Sequence, residues 1–338
     1  MRNWGRHLDT LAPLLTCVVM FLFFAFVTDS FFTRENLINI LRQNSALAIM
    51  AVGVTFVLLT GEIDLSIEAM AILAGVASAW LFNTLLSQFP SMPPFMQEGI
   101  PMVAAVTGAG VFGVLIGLGV SKLRVPSFMM TLAASLIAMG FALRITMGAP
   151  IFTIPSSLKF VGENSIGFVQ RTRANGTVYS LIEIPWITIV AAVFLFIAFI
   201  MLRYTRFGRN VYAVGGNRVS AELSGINVTR TLCACFCICS ITAAVAGIVL
   251  VGRMGSAQAG GLDNVLIQCV SAVVVGGTSL FGGKGGIGHT VIGVLTFGIL
   301  QNGLNHVEID IYLKDSIMGA ILLAALILNV SLARARRA

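Results

Sequence analysis

Long apolar runs separated by short polar stretches dominate the chain. Val103 to Val120, Trp186 to Leu202 and Ile317 to Val330 contain no charged residue. A helix of about 17–25 apolar residues crosses a hydrocarbon core of roughly 30 Å, where every backbone polar group must be paired within the protein. The pattern therefore predicts an all-α protein with several transmembrane helices.

The apolar runs and the polar breaks together predict about ten membrane spans. They are residues 11–28, 43–60, 65–86, 101–120, 127–147, 185–202, 230–251, 266–281, 287–305 and 312–330. Composition agrees, because a chain that is 57% hydrophobic and 10% charged has too little polar surface to cover a soluble globule. We expect residues 1–338 to form a single transmembrane domain.

The basic residues are unevenly divided between the two sides that ten alternating spans create. The side that holds both termini carries roughly twice as many Lys and Arg residues as the other, so both termini are predicted to be cytoplasmic. The net charge of +7 is scattered over loops and lacks the basic stripe that nucleic-acid binding uses. We expect contact with membrane lipid and none with nucleic acid.

Two longer polar stretches interrupt the apolar pattern. Residues 148–184 are predicted to form an extracytoplasmic loop that presents a surface to a partner. Residues 203–229 are its cytoplasmic counterpart, in which Asn217 is a helix N-cap, 218–224 a short helix and Gly225 its stop. Such a helix suits a membrane protein on which an external motor pushes. A basic loop held by lipid headgroups explains the stretch equally well.

Three carboxylates, those of Glu62, Asp64 and Glu68, lie between two apolar runs. A carboxylate within a bilayer is costly unless water, a partner or a substrate attends it. Asp64 therefore either caps the third helix at the membrane interface or shapes a gate or pathway. A secondary transporter coupled to protons or sodium would use the same three groups.

The stretch from Val275 to Gly288 is rich in glycine and contains a G-x-G-x-x-G match. It lacks the preceding strand of a nucleotide fold, so we interpret it as a close-packed re-entrant or tight turn. Cysteines alternate from Cys233 to Cys239, and this spacing on a helix spreads their thiols around its axis. We expect no metal, no bound cofactor and no catalytic site, because no nucleophile and base arrangement is visible.

Four motifs, taken in order, resemble those of the ribose-type permeases of bacterial ABC sugar importers. They are Gly61-Glu62-Ile63-Asp64-Leu65-Ser66; Lys122-Leu123-Arg124-Val125-Pro126-Ser127-Phe128 with Thr131-Leu132; Arg206-Phe207-Gly208 with Tyr212-Ala213-Val214-Gly215-Gly216-Asn217; and Gly276-Gly277-Thr278-Ser279-Leu280-Phe281-Gly282-Gly283. The resemblance extends from about residue 35 to 330. It implies a dimeric inner-membrane permease that receives a monosaccharide from a periplasmic binding protein and is driven by cytoplasmic ATPases, which use the ATP.

The resemblance also assigns residues to two roles. It places ATPase coupling in the cytoplasmic loop 203–229, at Gly215, Gly216, Asn217, Arg218, Glu222 and Gly225. Polar residues within or beside spans are candidates for the translocation pathway: Thr55, Asp64, Ser66, Thr131, Gln301, Asn302 and Asn305. Residues 148–184 become a periplasmic loop. Glu62 and Glu68 stand where similar permeases carry glycine, and the sugar and the choice between a homodimer and a heterodimer stay open.

Overall fold

The computed structural model describes residues 4–172, 178–262, 264–307, 310, 313–314, 316–321 and 323. Within this part the chain is a bundle of helices with one small sheet. The helices are α1 Trp4–Val27, α2 Arg34–Leu59, α3 Ile67–Gln88, α4 Pro94–Ser121, α5 Ser127–Thr146, α6 Ser156–Glu163, α7 Trp186–Tyr204, α8 Arg206–Gly216, α9 Arg218–Leu223, α10 Val228–Met254, α11 Val265–Val275 and α12 Ile287–His306. An antiparallel hairpin of β1 Ser165–Thr172 and β2 Val178–Pro185 precedes α7.

The helical pattern confirms an all-α polytopic membrane protein. Seven helices of the described part are long and apolar enough to cross a membrane, namely α2, α3, α4, α5, α7, α10 and α12. A shorter apolar stretch of α1, Ala12–Val27, coincides with the first predicted span. The second span begins at Arg34 rather than at 43, because the Thr33 side chain caps the helix by accepting from the Asn36 N–H. The predicted span 312–330 lies largely outside the described residues.

The prediction of a full span over 266–281 is wrong. Helix α11 ends at Val275, and at about 1.5 Å per residue its 11 residues cover only half of a hydrocarbon core. The helix stops at a glycine pair, of which Gly277 has φ +110°, a conformation that favours glycine. An irregular glycine-rich loop, residues 276–286, then leads into α12.

Helix α10 lies at the centre of the bundle and packs against α2, α3 and α4. Its neighbours approach through glycine: an added Cβ would lie 2.5 Å from the Cys233 Cα at Gly117 and 2.6 Å from the Cys239 Cα at Gly53. Inside a lipid bilayer the hydrophobic effect does not drive helices together, and close van der Waals packing does so instead. Small residues at the interface allow this packing. The buried Cys235 and Cys239 are therefore packing residues of this central helix.

The bundle has two distinguishable sides. We call the side that carries residues 203–229 the basic-loop side and the side that carries β1 and β2 the hairpin side. Helix α2 runs from the hairpin side, where Arg34 Nη2 lies 2.8 Å from Glu183 Oε1, to the basic-loop side, where it ends at Leu59. Helix α3 instead begins inside the bundle, since Ala71 in its second turn contacts Gly247 of α10.

Candidate functional site

Residues 60–66, which we call the broken segment, connect α2 to α3 without regular structure. The segment turns at Gly61, which has φ +79°, and runs back into the bundle until Asp64 lies beside Cys239 of α10. Backbone groups away from water must find partners in the protein. The contacts of this segment therefore show how the protein stabilises non-helical backbone inside the bundle.

Asp64 organises the start of α3 from within the bundle. Its side chain is 4% exposed, and Oδ1 accepts from the Ser66 N–H at 2.8 Å and from the Ser66 hydroxyl at 2.6 Å. Within the described residues Oδ2 has no hydrogen-bond partner, and the thiol of Cys239, a weak donor, lies near the carboxylate. Ser66 is the N-cap residue of α3 and makes no side-chain capping bond, so Asp64 does not cap the helix but holds its N-cap residue from inside the bundle.

The first turn of α5 holds the extended part of the broken segment. The Ile63 N–H donates to Ser127 Oγ at 3.2 Å, and the Leu65 N–H donates to Thr131 Oγ1 at 3.0 Å. Thr131 in turn donates to the Ser127 carbonyl at 2.8 Å. Side-chain hydroxyls therefore accept from two backbone amides that would be paired within a helix. The segment is held in place although it has no regular backbone hydrogen bonding of its own.

Glu68 joins the starts of α3 and α11. Its Oε2 accepts from the Leu266 N–H at 2.9 Å, and a carboxylate at the first turn of a helix is favoured by the helix dipole. From this point α3 continues to the hairpin side, whereas α11 descends to Gly276, which contacts His289 and Gly293 of α12. Two broken helices of opposite direction thus begin at one place inside the bundle.

The predicted short helix of the basic loop is confirmed as α9. The Asn217 side chain accepts from the Ser220 N–H at 2.9 Å, and the chain reverses at Gly225, with φ +80°. Arg218 Nη1 lies 3.2 Å from Glu62 Oε1 of the broken segment, and the two side chains are 44% and 17% exposed. Glu222 is exposed. The segment that resembles a coupling helix is therefore tied to the break between α2 and α3.

A second connection beside this ion pair, which we call the glycine junction, consists of Gly61, Gly215, Gly282 and Gly283. The Gly283 N–H donates to the Leu59 carbonyl at 2.9 Å. An added Cβ on Gly282 would lie 2.8 Å from both the Gly61 nitrogen and the Gly215 oxygen. Three backbones therefore touch directly, which confirms the interpretation of the glycine-rich stretch as a close-packed turn.

Tyr212 of α8 strengthens the glycine junction. Its hydroxyl donates to the Gly285 carbonyl at 2.9 Å. Burial raises the pKa of Tyr212, and Arg203 opposes this shift. The phenol therefore stays protonated, and remains a donor, at any pH near neutrality.

The candidate pathway residues fall into three places. Asp64, Ser66 and Thr131 meet at the broken segment. Thr55 Oγ1 lies 2.6 Å from Thr290 Oγ1 of α12. Gln301, Asn302 and Asn305 lie near the end of α12 on the hairpin side, where Asn302 is buried and Asn305 exposed. Their role in translocation stays a prediction.

Four residues that matter for this geometry had no assigned partner in the sequence analysis. They are Ser127, Tyr212, Glu62 and Glu68. Ser127 and Thr131 are one helical turn apart, a spacing that places both hydroxyls on one face. No group of three or more His, Cys, Asp or Glu residues is arranged to hold a metal ion within the described ranges.

Comparison of the sequence with known proteins identifies a family of transport proteins. The profile of the family described as "Branched-chain amino acid transport system / permease component" matches residues 36–326. The ribose import permease of Escherichia coli is 33% identical over 94% of this chain and 92% of the relative. The ribose import permease of Haemophilus influenzae is 34% identical, over 96% and 94%.

A further relative is the xylose transport system permease of Haemophilus influenzae, which is 30% identical over 96% of this chain and 97% of the relative. The matches span nearly the whole chain and its four motifs, and the relatives carry ribose or xylose in their names. The chain belongs to this permease family, and within it to the ribose-type ABC sugar permeases.

Proposed function

We propose that this chain is the membrane-spanning subunit of an ATP-driven importer for a monosaccharide that a periplasmic binding protein delivers. The observation that carries the proposal is the double connection between α9 and the broken segment. The Arg218–Glu62 ion pair links the two elements directly. The glycine junction links α8, which precedes α9, to the same segment and to the glycine-rich loop.

The exposed surface of α9 is suited to a partner that supplies work. Val219 and Leu223, one turn apart, are 67% and 84% exposed, whereas Ala221 is buried against the bundle. This exposed apolar pair offers a docking surface for a partner protein. Because the helix is short, capped and anchored to the bundle, it can move as a rigid unit when the partner moves. The partner is a cytoplasmic ABC ATPase, which binds and hydrolyses the ATP, while this chain binds no cofactor.

The orientation of the importer follows from its basic residues. The basic-loop side faces the cytoplasm, and both termini lie there. The opposite side, with the hairpin and α6, faces the periplasm and receives the binding protein. The chain lies in the bacterial inner membrane as a homodimer.

The mechanism we propose is alternating access driven from the cytoplasmic side. Closure of the ATPases on ATP presses α9 toward the bundle and displaces the broken segment through Arg218 and Glu62. Because Glu68 binds the first turn of α11, a shift of the start of α3 also moves α11 and the loop behind it. Transport then requires two arrangements of the bundle, one open to the periplasm and one open to the cytoplasm, that differ in their affinity for the sugar.

Reconstituted uptake tests this function against ion-coupled transport. Proteoliposomes that contain the permease, its ATPase and its binding protein should accumulate D-ribose or D-xylose when ATP is supplied, and collapse of proton and sodium gradients should leave uptake unchanged. A hydrolysis-deficient ATPase is the matched control. Accumulation by this chain alone under an ion gradient would show that it is a secondary transporter instead.

A further inference from the structure

A polar groove opens on the hairpin side between the start of α2 and the end of α12. Its volume is about 330 Å³, and every residue that lines it has a polar side chain. Small-molecule sites usually occupy about 300–1,000 Å³, so the groove has room for a monosaccharide. It lies apart from the broken segment and from the glycine junction.

The floor of the groove is rigid. Asn36 and Asn302 exchange hydrogen bonds through both amides, at 2.8 and 2.9 Å, and Asn36 also donates to the Phe31 carbonyl at 2.8 Å. The Nδ1 atom of His306 lies 2.9 Å from the Asn302 carbonyl. Two buried amides that bind each other in both directions hold one another in place, so the protein itself shapes the floor of the groove.

The walls carry polar groups with unused hydrogen-bonding capacity. Glu35, Asn39 and Gln43 follow each other at intervals of one turn on one face of α2, and their side chains have no hydrogen-bond partner among the described residues. Asn305 lies on the opposite wall and accepts from Lys314. Amides offer a donor and an acceptor side by side, which matches neighbouring sugar hydroxyls that are both donor and acceptor.

The charge of the groove selects among polar ligands. Glu35 is the single carboxylate of its lining, and the nearby Lys314 is engaged with Asn305. A second anion beside the Glu35 carboxylate would be repelled, which disfavours a phosphate or carboxylate ligand even though the start of α2 borders the groove. We infer that the groove binds a neutral monosaccharide through its hydroxyl groups at the outer end of the transport route, an inference that rests on the proposed function for its ligand class.

Saturation-transfer NMR on the purified full-length permease, with D-ribose and D-xylose as probes, tests this site. Each sugar should give a signal with the wild type, and the double variant Asn39→Ala, Gln43→Ala should weaken its affinity by roughly tenfold, the effect of losing about two hydrogen bonds. Asn39→Leu, which replaces the amide by an apolar side chain of similar size, should weaken it as well. Gln88→Ala, which removes an exposed amide at the end of α3 outside the groove, should not change it.

The outcomes separate this inference from the proposed function. Both groove substitutions remove exposed side chains without internal partners, so an unchanged melting temperature should accompany the loss of binding. If neither sugar binds the wild type, or if the groove variants bind as the wild type does, the inference is wrong. ATP-dependent uptake by the complete transporter would then still support the proposed function.

Discussion

Replacement of Gly215 by alanine is expected to lower the melting temperature of the purified permease by several degrees and to abolish ATP-dependent uptake. A Cβ at this position would overlap the Leu59 carbonyl oxygen and lie 2.7 Å from the Gly283 nitrogen. Both are backbone atoms, which cannot move aside as a flexible side chain can. Overpacking of this kind costs about 1–3 kcal/mol, and here it also separates α8 from the broken segment.

The neighbouring glycine provides the matched control for stability. Gly216 also belongs to α8, but a Cβ added there meets no atom within 4 Å. Alanine is favoured over glycine in a helix by about 1 kcal/mol, so Gly216→Ala should melt at the same or a higher temperature. Thermal unfolding of the two variants in the same detergent makes the comparison. Equal melting temperatures would contradict the close packing of the glycine junction.

Reversal of the charge of Arg218 is expected to reduce the number of sugar molecules transported per ATP hydrolysed by about tenfold, the equivalent of 1.4 kcal/mol lost from coupling. Arg218→Glu places a second carboxylate beside Glu62 in place of the ion pair at 3.2 Å. The pair is partly exposed, and such pairs contribute only about 0–1 kcal/mol to stability. Folding and membrane insertion should therefore be unaffected. The movement of α9 should be transmitted less efficiently to the broken segment.

The double variant Arg218→Glu, Glu62→Arg restores opposite charges and should recover most of the coupling. Transport and ATP hydrolysis are measured together in proteoliposomes, because their ratio separates coupling from ATPase binding. Arg230→Glu applies the same charge change to an exposed residue of the first turn of α10 and should keep the normal ratio. Failure of the double variant to recover would show that Arg218 acts through a contact other than Glu62.

Local sequence signals predicted the elements of the basic loop well. Asn217 and Gly225 identified α9 because a cap and a stop act within a few residues of the chain. The apolar run over 266–281 was misleading because hydropathy indicates only whether a segment lies in an apolar environment. Where α11 ends depends instead on a glycine pair and on packing against α12. Apolar content alone does not distinguish a half-crossing helix from a full one.

The sequence predicted several residues of the candidate site but not the contacts that join them. Asp64, Ser66 and Thr131 were selected as polar residues beside spans, and the structure brings these three together. The Arg218–Glu62 pair spans 156 residues and the Glu68–Leu266 hydrogen bond spans 198. Partners so far apart meet only through the tertiary fold, so a single sequence gave no sign of them.

Glu62 and Glu68, at positions where the resemblance implied glycine, have a structural role in these connections. Glu62 binds Arg218, the first residue of α9, and Glu68 binds the first turn of α11. Both glutamates make a contact that a glycine could not make. Neither lies among the polar residues that line the groove between α2 and α12, so we expect them to affect coupling more than sugar affinity.

The central claim is that work enters through α9 and reaches the broken segment inside the bundle. Hydrogen–deuterium exchange of the complete transporter, compared with and without ATP bound to a hydrolysis-deficient ATPase, tests it most directly. We expect amide exchange to change in residues 60–66 and at the start of α11 as well as in α9, while exchange in the middle of α5 stays constant. A change confined to α9, with residues 60–66 unaffected, would contradict it.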